Sequence, residues 1–210
     1  IRSRSNDGAI GARDWWNGAG CESANIGVSA ADPRYVYGGC YQGLIDELDQ
    51  RNMLSRDIMP WPAMNLTERT DSTRYRFNWT APILVSQHDA NVIYHGGNVL
   101  FRTTDRGTTW KPISPDLTRD DPARQGWGGG PITNEGAGGE IYGTIVTVAE
   151  SSHDAKNIRV GTDDGHVQPT RDGQFEIETA PGPDPRPLIA SAVVGGGWKL
   201  LELRRERLSL

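Results

Sequence analysis

The sequence predicts an all-β fold: a partial β-propeller of about three four-stranded blades, followed by an irregular or helical C-terminal tail. Two observations carry that prediction. An internal repeat occurs three times, and each copy reads as short strands punctuated by turn residues, with no helical period.

The repeat emerges when IGVSAADPRYVYGG (26–39), ILVSQHDANVIYHG (83–96) and VAESSHDAKNIRVG (148–161) are aligned without gaps. Ser29, Ser86 and Ser151 open the shared frame, and Asp32, Asp89 and Asp154 follow. Val36, Ile93 and Ile158 come next, then Gly39, Gly96 and Gly161. The spacing is 57 and then 65 residues. Within a copy, an apolar run enters an Asp-containing turn, and a second short strand leads to a Gly or Asp-Gly turn. In GTDDGHV, Gly165 suits a tight hairpin that needs φ > 0. Four strands in a unit of this length fit a propeller blade. The predicted blades cover about 20–60, 80–115 and 142–180, within a propeller segment at 1–180, and the atypical tail is 181–210. Val36, Ile93 and Ile158 are expected to point into the core between blades.

The stretch TTDRGTTW (103–110) could be read as an active site or as a turn. Its aspartate, Asp105, follows Asp89 by 16 residues; Asp49 follows Asp32 by 17, and Asp172 follows Asp154 by 18. A group that recurs once per blade at the junction of third and fourth strands is structural. Asp105 can accept backbone N–H bonds across the turn. Gly107 supplies a permissive backbone, the hydroxyls of Thr103 and Thr109 add local bonds, and Trp110 covers the turn.

This stretch resembles the Asp-box, the bacterial neuraminidase repeat. With YRFNWTAPILVSQHDANVIYHGGNVLF, ISPDLTRDDP, GGPIT and GTDDGHVQPTRDG, the chain resembles large bacterial proteins with a sortilin-like propeller, often labelled glycosyl hydrolases. The resemblance covers roughly residues 1–174. It implies a fragment of a large secreted or periplasmic protein that acts on or binds glycans at its central face. The alternative is a non-catalytic module that binds protein or peptide. The remaining blades of the parent chain are the other implied partner. Departures are visible: DELDQRNML replaces the motif in the first copy, TRDGQFEI lacks Thr-Trp in the third, and the tail does not match.

Long segments precede each first strand, at 8–24, 60–80 and 112–142, and long loops on a rigid scaffold carry function. They hold Arg13, Asp14, Trp15, Trp16 and Glu22, then Asp71, Arg74, Tyr75, Arg76 and Trp79, then Trp127, Thr133, Glu135, Glu140 and Tyr142. Glu22, Arg76, Trp79, Glu140 and Tyr142 are the candidate ligand-binding residues; no catalytic residue is assigned. Aromatic rings stack on sugar faces, carboxylate pairs cleave glycosidic bonds, and Arg clamps carboxylates. The segments are expected on one face, with Glu22, Trp79 and Tyr142 closer to one another than to Asp105.

Other chemistry is poorly served. A formal charge of −5 argues against a nucleic-acid partner, and no apolar run reaches the roughly 18 residues of a membrane span. His88 and His153 share one repeat position and read as structural. His95 and His166 lack zinc-ligand spacing, DLTRDDPARQG is no calcium loop, and no phosphate loop appears, so no metal or cofactor is expected. The sequons at Asn65 and Asn78 matter only in a secreted eukaryotic chain. Cys21 and Cys40 either pair or remain thiols. The chain starts at Ile1 without a leader, which fits a fragment and says nothing about compartment.

Overall fold

A computed structural model describes residues 11–23, 25–63, 68–126 and 141–165, apart from the side chain of Arg13. It also describes the strand backbone at 167–171 and 174–175, and helical backbone at Pro187, Ala190, Ser191 and Val194 in the tail. Asn65, Trp127, Thr133, Glu135, Glu140, His166, Asp172 and the 198–210 stretch lie outside the described residues.

Among the described residues, twelve strands form three antiparallel sheets, each a meander in chain order. The first sheet contains β1 (Ile26–Val28), β2 (Tyr35–Gly39), β3 (Ile45–Asp49) and β4 (Leu54–Asp57). The second contains β5 (Ile83–Val85), β6 (Ile93–Gly96), β7 (Leu100–Thr103) and β8 (Lys111–Pro112). The third contains β9 (Ile145–Glu150), β10 (Asn157–Thr162), β11 (Val167–Arg171) and β12 (Gln174–Phe175). First strands neighbour one another, β1 beside β5 and β5 beside β9. This is a partial β-propeller of three blades.

The repeat is a turn built three times. Each serine follows the last residue of a first strand and takes backbone N–H bonds on its hydroxyl: Ala31 to Ser29 at 3.2 Å, His88 to Ser86 at 3.1 Å, His153 to Ser151 at 3.2 Å. Each aspartate then accepts the N–H two residues on, from Arg34, Asn91 and Lys156, at 3.2, 2.9 and 3.0 Å. Such Asx and Ser turns reverse the chain without help from elsewhere, which is why they are legible locally. In the GTDDGHV hairpin Gly165 has φ +87°.

Strand alternation gives each sheet two faces. The forward face of the first sheet carries Gly27, Tyr37, Glu47 and Arg56 in one cross-strand row. The back face of the second carries Ile83, His95, Phe101 and Pro112 in one row, with Val85, Ile93 and Thr103 in the next. These two faces enclose a core of Tyr37, Ile45, Ile58, Ile83, Val85 and Ile93. A second core, between the second and third sheets, contains Val92, Tyr94, Leu100, Leu117, Ile145, Ile158 and Val160. Ile93 and Ile158 are therefore buried between blades, but Val36 is only half-buried. It lies on the back face of the first sheet, the face turned away from the second sheet, and no other described sheet packs there.

Polar latches supplement the cores. Glu150 ends β9 where the other blades have Val28 and Val85. It accepts bonds from Ser86 Oγ (2.8 Å), Gln87 N (2.7 Å) and Tyr94 Oη (3.3 Å) of the preceding blade. Glu47 bonds Arg56 at 2.9 Å, and Arg56 reaches the Arg106 carbonyl of the next blade at 2.8 Å.

Candidate functional site

The Thr103–Trp110 turn closes on itself. Asp105 Oδ1 accepts from Thr109 N (2.8 Å) and Thr103 Oγ1 (2.7 Å), and Oδ2 accepts from Thr109 Oγ1 (2.7 Å). Thr103 Oγ1 in turn accepts from Gly107 N at 2.9 Å. These bonds, the one from Thr109 N foremost, hold the Asp105 carboxyl down at about 2. Gly107 has φ +81°, and a Cβ there would stand 2.7 Å from Ile58. Trp110 donates its indole N–H to the Ile58 carbonyl at 2.5 Å. Besides covering its own turn, the tryptophan thus pins the second blade to the first. In the first blade, Asp49 does a different job at the same place: it clasps Arg34 and accepts from Arg51 N at 3.0 Å.

The segments ahead of the first strands are stitched to one another. Asn25 donates to the Thr80 carbonyl at 3.0 Å, Asn78 to the Ile141 carbonyl at 3.1 Å, and Arg76 Nε to the Gly143 carbonyl at 3.1 Å. A disulfide joins Cys21, ahead of β1, to Cys40, just past β2. It brings Glu22 and Tyr41, the next residues along, to one end of the blade. The Tyr41 ring then meets Trp79 edge-on, with centroids 4.8 Å apart. Trp79 is 37% exposed, and Glu22 is exposed. Tyr142 is half-buried under the Arg124 guanidinium, 5.4 Å from its ring.

The remaining candidates fall into two groups. Arg76 is buried at 5% exposure and is committed within the chain: besides Gly143 it bonds Asp116 (2.7 Å), Thr118 (2.9 Å) and Asp120 (2.9 Å). The DLTRDDP motif is thus the cage of an arginine that holds three segments together. Asp71 pairs with Arg69 at 2.6 Å, a bond that keeps its carboxyl below the ordinary range. Asp14 accepts from Gly11 N at 2.7 Å. Arg74 lies over Trp61 and Tyr75, 5.2 and 5.3 Å from their rings. Trp61 and Tyr75, with Gln42, Ala63, Thr73, Phe77 and Ile141, line a narrow cavity of about 10 Å³. Tyr41 and Trp61 had no distinguishing signal in the sequence, because each acts through a ring well along the chain; the disulfide is one of the two states that the sequence left open for Cys21 and Cys40.

A larger recess, about 440 Å³, lies elsewhere, where Ile58, Met59, Pro60 and Pro62 of one blade face Gly107, Thr108 and Trp110 of the next. It is wide and open, and Ile58 and Gly107 in it already serve the blade contact. Among the described residues no group of three or more His, Cys, Asp or Glu is placed to hold a metal, and no helix is long and apolar enough to cross a membrane.

No protein-family model matches the chain. No curated protein matches it either. Solved structures similar to it include YCF48 bound to D1 peptide, at 12% identity and a TM-score of 0.43, covering 74% of this chain and 38% of that one. YCF48 from Cyanidioschyzon merolae shows 14% identity and a TM-score of 0.42 over 85% of this chain and 44% of that one. The GH74 enzyme of Niastella koreensis shows 18% identity and a TM-score of 0.40 over 77% of this chain and 23% of that one. The chain thus spans less than half the length of each. Identities this low bear on the fold alone.

Proposed function

We propose that this chain is a propeller section that binds a glycan at the face formed by its pre-strand segments, with Trp79 as the stacking platform and Glu22 and Tyr142 at its sides. The observation that carries this reading is the braced, exposed Trp79: Tyr41 fixes its edge at 4.8 Å while the indole stays accessible. A large ring held in place loses little conformational freedom on binding, which favours affinity.

Binding is favoured over cleavage. Glycoside hydrolysis needs two carboxyls about 5–9.5 Å apart. Among the described candidates, Asp14 and Asp71 are occupied by partners within the chain, which leaves Glu22. Glu140, ahead of Tyr142, is the residue a hydrolase would pair with it. The Asp105 hydrogen bonds are what supports the Asp-box reading of the turn, and with it a propeller segment of a sortilin-like parent at 1–180, followed by an atypical tail at 181–210. The Cys21–Cys40 disulfide fits a secreted or periplasmic location, since such bonds persist in oxidising compartments. Three sheets among the described residues are fewer than the roughly 4–8 blades of a closed propeller, which supports the reading that further blades belong to a longer parent chain.

The test is a combined glycan and peptide array probed with the chain and with Trp79→Ala. Glycan signals lost in the variant support the reading. Signals confined to peptides, or glycan signals that survive the substitution, refute it. A Glu22→Gln variant assayed for glycan cleavage separates binding from hydrolysis.

A further inference from the structure

The segment at 60–80, between the first and second blades, carries three arginines, Arg69, Arg74 and Arg76. Two of them are neutralised within the chain. Arg69 pairs with Asp71 at 2.6 Å, and buried Arg76 pairs with Asp116 and Asp120 at 2.7 and 2.9 Å. Arg74 differs. It is exposed, and among the described residues no carboxylate pairs with it. Its guanidinium instead rests against the rings of Trp61 and Tyr75, 5.2 and 5.3 Å from their centroids. Those rings are fixed in turn: they meet edge-on at 5.1 Å, and Tyr75 meets buried Phe101 at 4.9 Å. Contact with aromatic rings holds a guanidinium without using its N–H groups, which lie in its own plane. Arg74 is thus a positioned cation with donors to offer.

A single short turn links this cation to the Trp79 platform. Tyr41 braces Trp79 at 4.8 Å. Gln42, the next residue, lines the narrow cavity with Trp61 and Tyr75. Consecutive Cα atoms are about 3.8 Å apart, so the platform and the Arg74 stack flank neighbouring residues of one turn. Glu22 stands at the other end of it, beside the Cys21–Cys40 disulfide. A negative group on a ligand over Trp79 is therefore repelled on the Glu22 side and attracted on the Arg74 side. The Tyr142 flank also has a stacked guanidinium, that of Arg124, but Asp121 lies 3.6 Å from it. The chain's formal charge of −5 opposes an anionic ligand only at long range, and salt screens it beyond about 8 Å.

We propose that the glycan is acidic, and that Arg74 takes the carboxylate of a uronic-acid residue next to the sugar stacked on Trp79. This inference rests on the glycan-binding reading above and names the class of glycan. A planar carboxylate accepts two parallel N–H bonds from one edge of a guanidinium, which a hydroxyl cannot do. The stacked arginine therefore selects acidic sugars over neutral ones, and its fixed position lowers the ordering cost of the contact.

The experiment is an array of oligogalacturonates, oligoglucuronates and oligomannuronates, each beside its methyl ester, together with neutral and sulfated oligosaccharides. It is probed with the 210-residue chain and with Arg74→Gln and Trp79→Ala. Free acids should outrank their esters by at least about tenfold, the size of a charge-assisted hydrogen-bonded contact. Arg74→Gln should bring the acids down to the level of their esters, leave the ester signals unchanged and preserve the circular dichroism. Trp79→Ala should abolish both sets of signals. Binding that Trp79→Ala abolishes but that favours esters, neutral or sulfated sugars overturns this inference and leaves the binding reading intact. Acid binding that survives Arg74→Gln does the same. Acid binding lost in Arg74→Gln but kept in Trp79→Ala upholds the arginine contact and removes the platform. No signal from any glycan overturns both. The comparison of acid with ester needs no variant, so a misfolded Arg74→Gln leaves the proposal decidable.

Discussion

Trp110 donates its indole N–H to the carbonyl of Ile58, 2.5 Å away and one blade earlier in the chain. The Thr103–Trp110 turn is therefore both a local closure and the bolt between two sheets. Trp110→Phe keeps most of the ring but leaves that carbonyl without its donor. The expected loss is about 1–3 kcal/mol of unfolding free energy, measured by urea denaturation. Unchanged stability would mean the bond contributes nothing to holding the blades together.

Asp105 gives the same turn a pH signature. Its carboxyl sits at about 2 in the fold, against an ordinary 3.8. A depressed carboxyl stabilises the fold above its unfolded value, and the contribution disappears as pH falls from about 3.8 through 2. Asp105→Asn should flatten the stability profile in that window and lower stability at neutral pH. A variant with the wild-type profile would contradict the assignment.

His95 predicts a second, higher window. It is fully buried, stacked on Phe77 at 5.2 Å, with Nδ1 2.9 Å from the Pro82 carbonyl. Burial pushes its imidazole down to about 4 from 6.5. Between these values the unfolded chain binds a proton that the fold excludes, so stability should fall as pH drops from about 6.5 to 4. His95→Phe should remove that slope, whatever its effect on stability at neutral pH. Thermal melts at pH 7 and pH 5 decide it.

Glu150 is the polar latch between the second and third blades. Glu150→Val installs the residue found at positions 28 and 85 but strands Ser86 Oγ and Gln87 N. The expected cost is about 1–3 kcal/mol, seen as a lower urea midpoint. A gain in stability would mean that apolar packing there outweighs the lost bonds, as happens at some buried ionic sites.

How much of this was legible in the sequence follows from the range of each interaction. The Ser-x-x-Asp turns satisfy their own backbone within a few residues, so their spacing announces the blades. The Asp105 turn is readable for the same reason. Glu150 sits where the frame has valine, and its partners are 56 to 64 residues away, so nothing in its neighbours marks it. Arg76 looked like a ligand clamp because an arginine in a long loop is usually exposed; the acids that enclose it come 40 residues later and beyond. The spacing of Cys21 and Cys40 fits a bond or two thiols equally well, and only the antiparallel pairing of β1 with β2 brings them together. The exposed Trp79 was readable as an aromatic in a long loop, but Tyr41, which braces it, belongs to a turn of a different blade.

The most direct test of a central-face site is tryptophan fluorescence during titration with the glycan that ranks first on the array, using the chain and its Trp79→Phe and Trp110→Phe variants. The account predicts a saturable change that Trp79→Phe abolishes and Trp110→Phe preserves. A change that instead vanishes with Trp110→Phe would place the ligand in the recess beside the Asp105 turn and contradict the account.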